Sequence, residues 1–177
     1  MRHADAPSPG TVLEPHYARC FGCGDRHPTG LHLRVTVGED VSVTGEFVVS
    51  PDHQGAPGLA HGGLLAAAFD EALGSLMWLL RTPAVTARLE TDFLRPVPVG
   101  STLHIEARAS AAHKRRVYAE AVGRLGGAGG EVAVRARALF VQVDLGHFTA
   151  HGRPEDVEEV RRDPTLHRTS EVFEVNP

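Results

Sequence analysis

The chain has 177 residues, 42% of them hydrophobic and 23% charged, which suits one globular domain with tails. A net charge of -4 gives no electrostatic case for nucleic acid, and no nucleic-acid partner is expected. Residues 1–15 are polar and Pro-rich, without the apolar stretch of a secretory signal, so a cytoplasmic location is expected.

Residues 1–19 show no periodicity and read as a loose arm. The run Cys20-Phe21-Gly22-Cys23-Gly24 follows, with His27 and His32 beyond it. Two Cys and two His are zinc-ligand types, but their spacing is tighter than that of a zinc finger. The reading is a Gly-rich turn into the first strand, with no metal and no cofactor expected. A disulfide does not suit a reducing compartment.

Residues 31–37 (Leu-His-Leu-Arg-Val-Thr-Val) alternate at period two and predict a strand. Gly38-Glu39-Asp40 predicts a turn, and 41–49 the returning strand. A Pro/Gly-bearing loop at 50–60 leads to the most distinctive stretch, Gly62–Leu80. It is rich in Ala and Leu and predicts a helix, apolar nearly all round and therefore buried on most sides. Its length is that of a membrane span, but Asp70-Glu71 near the middle argues against one, and no membrane partner is expected. Thr82-Pro83 ends the helix.

Four long strands are predicted at 85–94, 102–112, 117–125 and 132–143, joined by short turns into an antiparallel meander. Pro154–Arg162 predicts a short charged helix with Pro in its first turn. The expected organisation is an N-terminal arm with its Cys-x-x-Cys turn (1–29), one domain (30–144) and a C-terminal extension (145–177). The expected fold class is α+β, an antiparallel six-stranded sheet wrapped round one long central helix.

A carboxylate in an apolar helix is costly to bury unless paired or hydrogen-bonded, which singles out Asp70. At the helix start, His61-Gly62-Gly63 leaves backbone N–H groups without bulky side chains over them, suited to an anion or a polarised carbonyl oxygen. Eight residues separate Gly62 from Asp70, about 12 Å at the helical rise, too far for both to reach one carbon. Two antiparallel copies of the helix, related by a two-fold axis, would bring one chain's Asp70 to the other's Gly62. The expectation is a homodimer or a dimer of dimers with a shared site.

The order of elements and these motifs together resemble the hotdog fold. Within it they resemble the PaaI-like acyl-CoA thioesterases, in the branch that includes the mitochondrial acyl-CoA thioesterase superfamily members. The resemblance covers roughly residues 20–144. It rests on Gln54-Gly55-Ala56-Pro57-Gly58-Leu59-Ala60-His61-Gly62-Gly63, on Asp70 nine residues after the histidine, on Thr86, and on Phe93-Leu94-Arg95-Pro96. The Cys-Phe-Gly-Cys-Gly opening and Pro28-Thr29-Gly30-Leu31 also fit, although His27 stands where members commonly have Asn.

The resemblance implies hydrolysis of an acyl-CoA thioester. By position, Asp70 takes the role of general base or nucleophile, the Gly62 N–H that of oxyanion donor, Thr86 that of water holder, and His61 an orienting role. Gly55, beside Gln54, occupies the place where some relatives use Asn to position water. Gln54, Gly55 and Gly63 are candidate substrate contacts. Arg88 is a candidate substrate contact or an ion-pair partner of Asp70, and Arg115 and Arg116 in the basic turn are candidates for the CoA phosphates. Glu71, turned by about 100° from Asp70, reads as an ordinary polar or ion-pairing residue. The alternative is a non-catalytic acyl-CoA or acyl-ligand binding protein on the same fold.

Overall fold

The alternating segments become an antiparallel sheet. The computed structural model describes residues 2–163, so 164–177 of the C-terminal extension lie outside the described residues. The first hairpin is β1 (Arg34–Val37) with β2 (Ser42–Val48). In β2, Val43, Gly45 and Phe47 are buried while Thr44, Glu46 and Val48 are exposed, as a strand with one core face requires.

The loop before the helix contains a small ribbon, β3 (Gln54–Ala56) with β4 (Leu59–Ala60), which the sequence reading lacks. Then come α1 (Gly62–Gly74), α2 (Leu76–Leu80), β5 (Ala84–Phe93), β6 (Thr102–His113), β7 (Arg116–Leu125) and β8 (Glu131–Gln142). Two more helices follow, the unforeseen α3 (Leu145–His151) and the expected α4 (Pro154–Arg162). The main sheet has the order β1-β2-β6-β7-β8-β5, with every neighbouring pair antiparallel. It curls round α1, which touches β2, β5, β6, β7 and β8. This is the hotdog arrangement.

Leu65, Ala68, Phe69, Ala72 and Leu73 of α1 are buried in one core with Phe47, Leu103, Ile105, Val117, Val134 and Phe140 of the sheet. The other side of α1 is less covered than its composition predicts. Leu64, Ala66, Ala67 and Asp70 are only half-buried, because the sheet supplies one wall. Gly62–Leu80 is long and apolar enough to cross a membrane by length and composition, and half of it is buried in the fold.

The helix is also interrupted at Ser75. Ser75 Oγ donates to the Glu71 carbonyl at 2.8 Å, and the Ser75 N–H reaches the same carbonyl at 3.0 Å. Such back-bonding by serine bends a helix. Arg81 in the left-handed region (φ 50) closes α2.

The N-terminal segment is not a loose arm. Leu13 N–H donates to the Val35 carbonyl, Val37 N–H to Thr11, and Gly10 N–H to Val37, so residues 10–13 run along the outer edge of β1. His3 N–H reaches the Leu79 carbonyl, and the Arg81 guanidinium reaches that of Asp5. β1 itself is shorter than the alternation suggests. His32 sits at φ 49, and Leu31 and Leu33 donate to the Phe21 and Gly22 carbonyls instead of joining the ladder. One sheet edge is thus covered, while β5 is the other edge.

Candidate functional site

The structure brings Asp70 and Thr86 together. Thr86 Oγ1 donates to Asp70 Oδ1 at 2.8 Å. The strand register explains the approach. Thr86 stands opposite Phe140, whose side chain is buried, so Thr86 faces the helix. A bulge at Ala87 follows, and Arg88 stands opposite the less buried Leu139, on the face away from α1. The Arg88 guanidinium pairs with Glu90. Arg88 is therefore not the ion-pair partner of Asp70 in this chain, and the bulge is the reason.

His61 caps α1. Its Nδ1 accepts from the Gly63 N–H at 2.9 Å, and its own N–H donates to the His53 carbonyl at 2.8 Å. The cap occupies the Gly63 donor, whereas among the described residues no acceptor stands on the Gly62 N–H. Gln54 Oε1 accepts from the Gly58 N–H at 2.8 Å and closes the β3–β4 loop. A Cβ at Gly55 would fall 2.7 Å from His61 Cα and 2.9 Å from His61 Cβ, so the missing side chain is what admits His61 to its place. Gln54, Gly55 and Gly63 act on His61 and its loop in this chain. Gly62 itself lies beside the Phe93 ring. Phe93, Leu94 and Leu59 form exposed apolar surface at this end of the fold.

Arg115 and Arg116 lie in and just after the β6–β7 turn. Arg115 Nε donates to the Gln142 carbonyl at 2.9 Å, and both side chains are exposed. Val117 and Thr86 both pair with Phe140, so the turn sits at the Thr86 end of the sheet, about 10 Å away at two strand spacings.

A second constellation escaped the sequence reading. Glu71 points away from Asp70, toward the N-terminal segment, with 17% of its side chain exposed. Cys20 Sγ lies 3.5 Å from Glu71 Oε2, Cys23 Sγ 3.1 Å from His16 Nδ1, and His16 Nδ1 3.8 Å from Glu71 Oε1. These four residues could hold a metal ion. His27 and His32, the histidines singled out by sequence, are placed elsewhere. His27 packs edge-on against Phe21, and His32 Nδ1 bonds the Gly24 carbonyl at 2.8 Å. Burial, with the Cys20 charge beside it, pushes the Glu71 carboxyl up to about 7. The Cys23 thiol hydrogen bond, aided by His16 against the effect of burial, draws Cys20 down to about 3, and the same bond raises Cys23.

Asp70, bonded to the Thr86 hydroxyl, thus lies about two turns along α1 from the Gly62 N–H at the helix start. Residues 57–130 match the model of the thioesterase superfamily. Over that stretch the chain is similar to the thioesterase superfamily, and its fold is of the hotdog type. Among curated proteins, acyl-coenzyme A thioesterase THEM4 of Bos taurus is 38% identical over 72 residues, which are 41% of this chain and 29% of that protein. The Xenopus laevis counterpart is 31% identical over 72 residues, 41% of this chain and 32% of that protein. The chain thus spans about a third of the length of the curated relatives it matches. Among solved structures, the thioesterase superfamily protein RHA08564 superposes with a TM-score of 0.65 at 25% identity, over 77% of this chain and 70% of that one. The E. coli PaaI protein superposes at 0.58 with 19% identity, over 63% and 83%, a likeness of fold.

Proposed function

We propose that this chain hydrolyses an acyl-CoA thioester to a carboxylic acid and free CoA, with Asp70 as the carboxylate that activates water. The observation that carries the reading is the 2.8 Å bond between Thr86 Oγ1 and Asp70 Oδ1 on the less covered side of the central helix. Asp70 takes a proton from water as its oxygen attacks the thioester carbon. Such a base typically contributes about 10²–10⁴-fold. The carbonyl oxygen gains negative charge at the Gly62 N–H, where one preorganised donor is worth roughly 3–4 kcal/mol. Collapse breaks the carbon–sulfur bond, and the leaving thiolate takes up a proton as CoA. Thr86 holds the carboxylate and water in line, and Arg115 and Arg116 meet the CoA phosphates.

The site is shared across a homodimer. Gly62 and Asp70 are about 12 Å apart along α1, so one chain cannot bring both to a single carbon. Residues 10–13 cover the β1 edge, while β5 ends the sheet on the other side, beside exposed Phe93 and Leu94. Pairing two β5 edges would cover that strand and bring the helices side by side.

Two further parallels support the reading. A Streptococcus mutans protein of this fold was solved bound to acetyl CoA. A Streptococcus pneumoniae hypothetical thioesterase was solved as two alanine variants, at an aspartate and at a threonine sixteen positions apart, the separation of Asp70 and Thr86. The test is thiol release from a panel of short, long and aromatic acyl-CoAs. Turnover of at least one class is expected, and binding without turnover across the panel would favour the acyl-CoA binding protein instead.

A further inference from the structure

We propose that His16, Cys20, Cys23 and Glu71 form a binding site for one zinc ion, which fastens the N-terminal segment to the helix that carries Asp70. The four donor atoms lie within 4.8 Å of one another. Tetrahedral zinc with bonds of about 2.0–2.3 Å places its donors about 3.3–3.8 Å apart. Cys23 Sγ lies 3.1 Å from His16 Nδ1 and Cys20 Sγ 3.5 Å from Glu71 Oε2, within a few tenths of that range, while the other carboxylate oxygen, Oε1, lies 3.8 Å from His16 Nδ1. No large rearrangement is needed to close four ligands round an ion.

The chain around the cysteines is shaped as a metal knuckle. Gly22 N–H points at Cys20 Sγ at 3.3 Å, and Gly24 N–H closes the turn on the Cys20 carbonyl at 2.9 Å. N–H donors to thiolate sulfur are the outer-sphere contacts that hold such ligands in place. Gly24 is required by space, and Gly22 leaves room for the Glu71 carboxylate. A Cβ at Gly24 would stand 2.5 Å from the Ala18 carbonyl oxygen and from Cys20 backbone atoms, and one at Gly22 would run into the Glu71 carboxylate. The loop is thus built to let a carboxylate from α1 reach the cysteines.

The donor chemistry selects the ion. Two sulfurs, one imidazole and one carboxylate in a tetrahedral setting suit zinc over magnesium or calcium. All four positions are filled by protein, which marks a structural site, not a catalytic one with an open position. Glu71 adjoins Asp70 in sequence but projects from another side of α1. An ion there would brace the helix against the segment comprising His16 and the Cys20–Cys23 turn, and leave the Asp70 side free.

The test uses the full chain, purified under reductant and without chelator from zinc-supplemented medium. Metal analysis should find about one zinc per chain, as a closed structural site holds. Cobalt added to the metal-stripped chain should give the visible bands of tetrahedral cobalt with thiolate charge transfer. Cys23→Ser and Glu71→Gln should each lose at least tenfold in zinc affinity, while His27→Ala retains it. Chelation should lower the melting temperature of the wild type by more than that of Glu71→Gln. A folded, reduced wild-type chain that holds no zinc and gives no cobalt–thiolate spectrum overturns the proposal. So does zinc that survives Glu71→Gln but is lost with His27→Ala. The wild-type measurements stand even where a variant fails to fold.

Discussion

Replacing Thr86 with valine keeps a β-branched side chain on β5 and deletes one hydroxyl. That hydroxyl donates to Asp70 Oδ1 at 2.8 Å, a bond to a carboxylate. Buried bonds of this kind are worth about 1.5–3 kcal/mol. Thr86 is exposed and Asp70 half-buried in the single chain, so the lower end applies, about 1.5 kcal/mol, or roughly tenfold in rate. Stability should barely move, within about 0.5 kcal/mol, because the position is exposed and valine favours strands. The assay pairs thiol release from acyl-CoA with thermal unfolding. The account expects kcat/KM to fall roughly tenfold while Tm stays put. Unchanged kcat/KM would reduce Thr86 to a strand residue, and a loss matched by a fall in Tm would assign the effect to folding.

Other consequences can be checked in the same protein. Arg115→Ala combined with Arg116→Ala should raise KM for acyl-CoA several-fold and spare small thioesters that lack the nucleotide; an equal effect on both would point to the fold. Gly55→Ala forces a methyl against His61 and should cost about 1–3 kcal/mol in denaturant unfolding while lowering activity; wild-type values for both would show that the contact yields easily. For the shared site, Asp70→Asn and Gly62→Pro chains, each inactive alone, should recover up to one working site per mixed dimer. Pro is compatible with the first helical position and removes the donor. Confirmed mixed dimers with no activity would show that each chain builds its own site.

The main fold was legible because its signals are local. Alternation in residues 41–49 and in the four later strands places the sheet within a residue or two of its observed ends, and the Ala/Leu-rich run marks the helix. The misses have non-local causes. His32 leaves the strand because its ring bonds Gly24 and its φ is 49. The interruption at Ser75 depends on one side-chain bond within a segment of uniform composition. Residues 10–13 carry no alternation and are ordered by the edge of β1.

For the candidate site, the His-Gly-Gly start and Asp70 stood out from the helix pattern and Thr86 from resemblance, and the structure joins Thr86 to Asp70 and His61 to Gly63. That Arg88 turns away could not be read, since the bulge at Ala87 reverses its face. Glu71 looked ordinary because its partners, His16 and the two cysteines, lie more than forty residues earlier in the chain. A usable signal was present all the same. Glu71 is a second carboxylate in an apolar helix, where burial asks for a partner.

The claim on which the account rests is that Asp70 carries the chemistry, and the most direct test is single-turnover thiol release by a folded Asp70→Asn chain with saturating acyl-CoA. Asparagine keeps the shape and can still accept from Thr86, but it cannot take a proton from water. The account expects the wild-type fold, near wild-type acyl-CoA affinity, and a chemical step slower by about 10²-fold or more. An Asp70→Asn chain that releases CoA at the wild-type rate would contradict it.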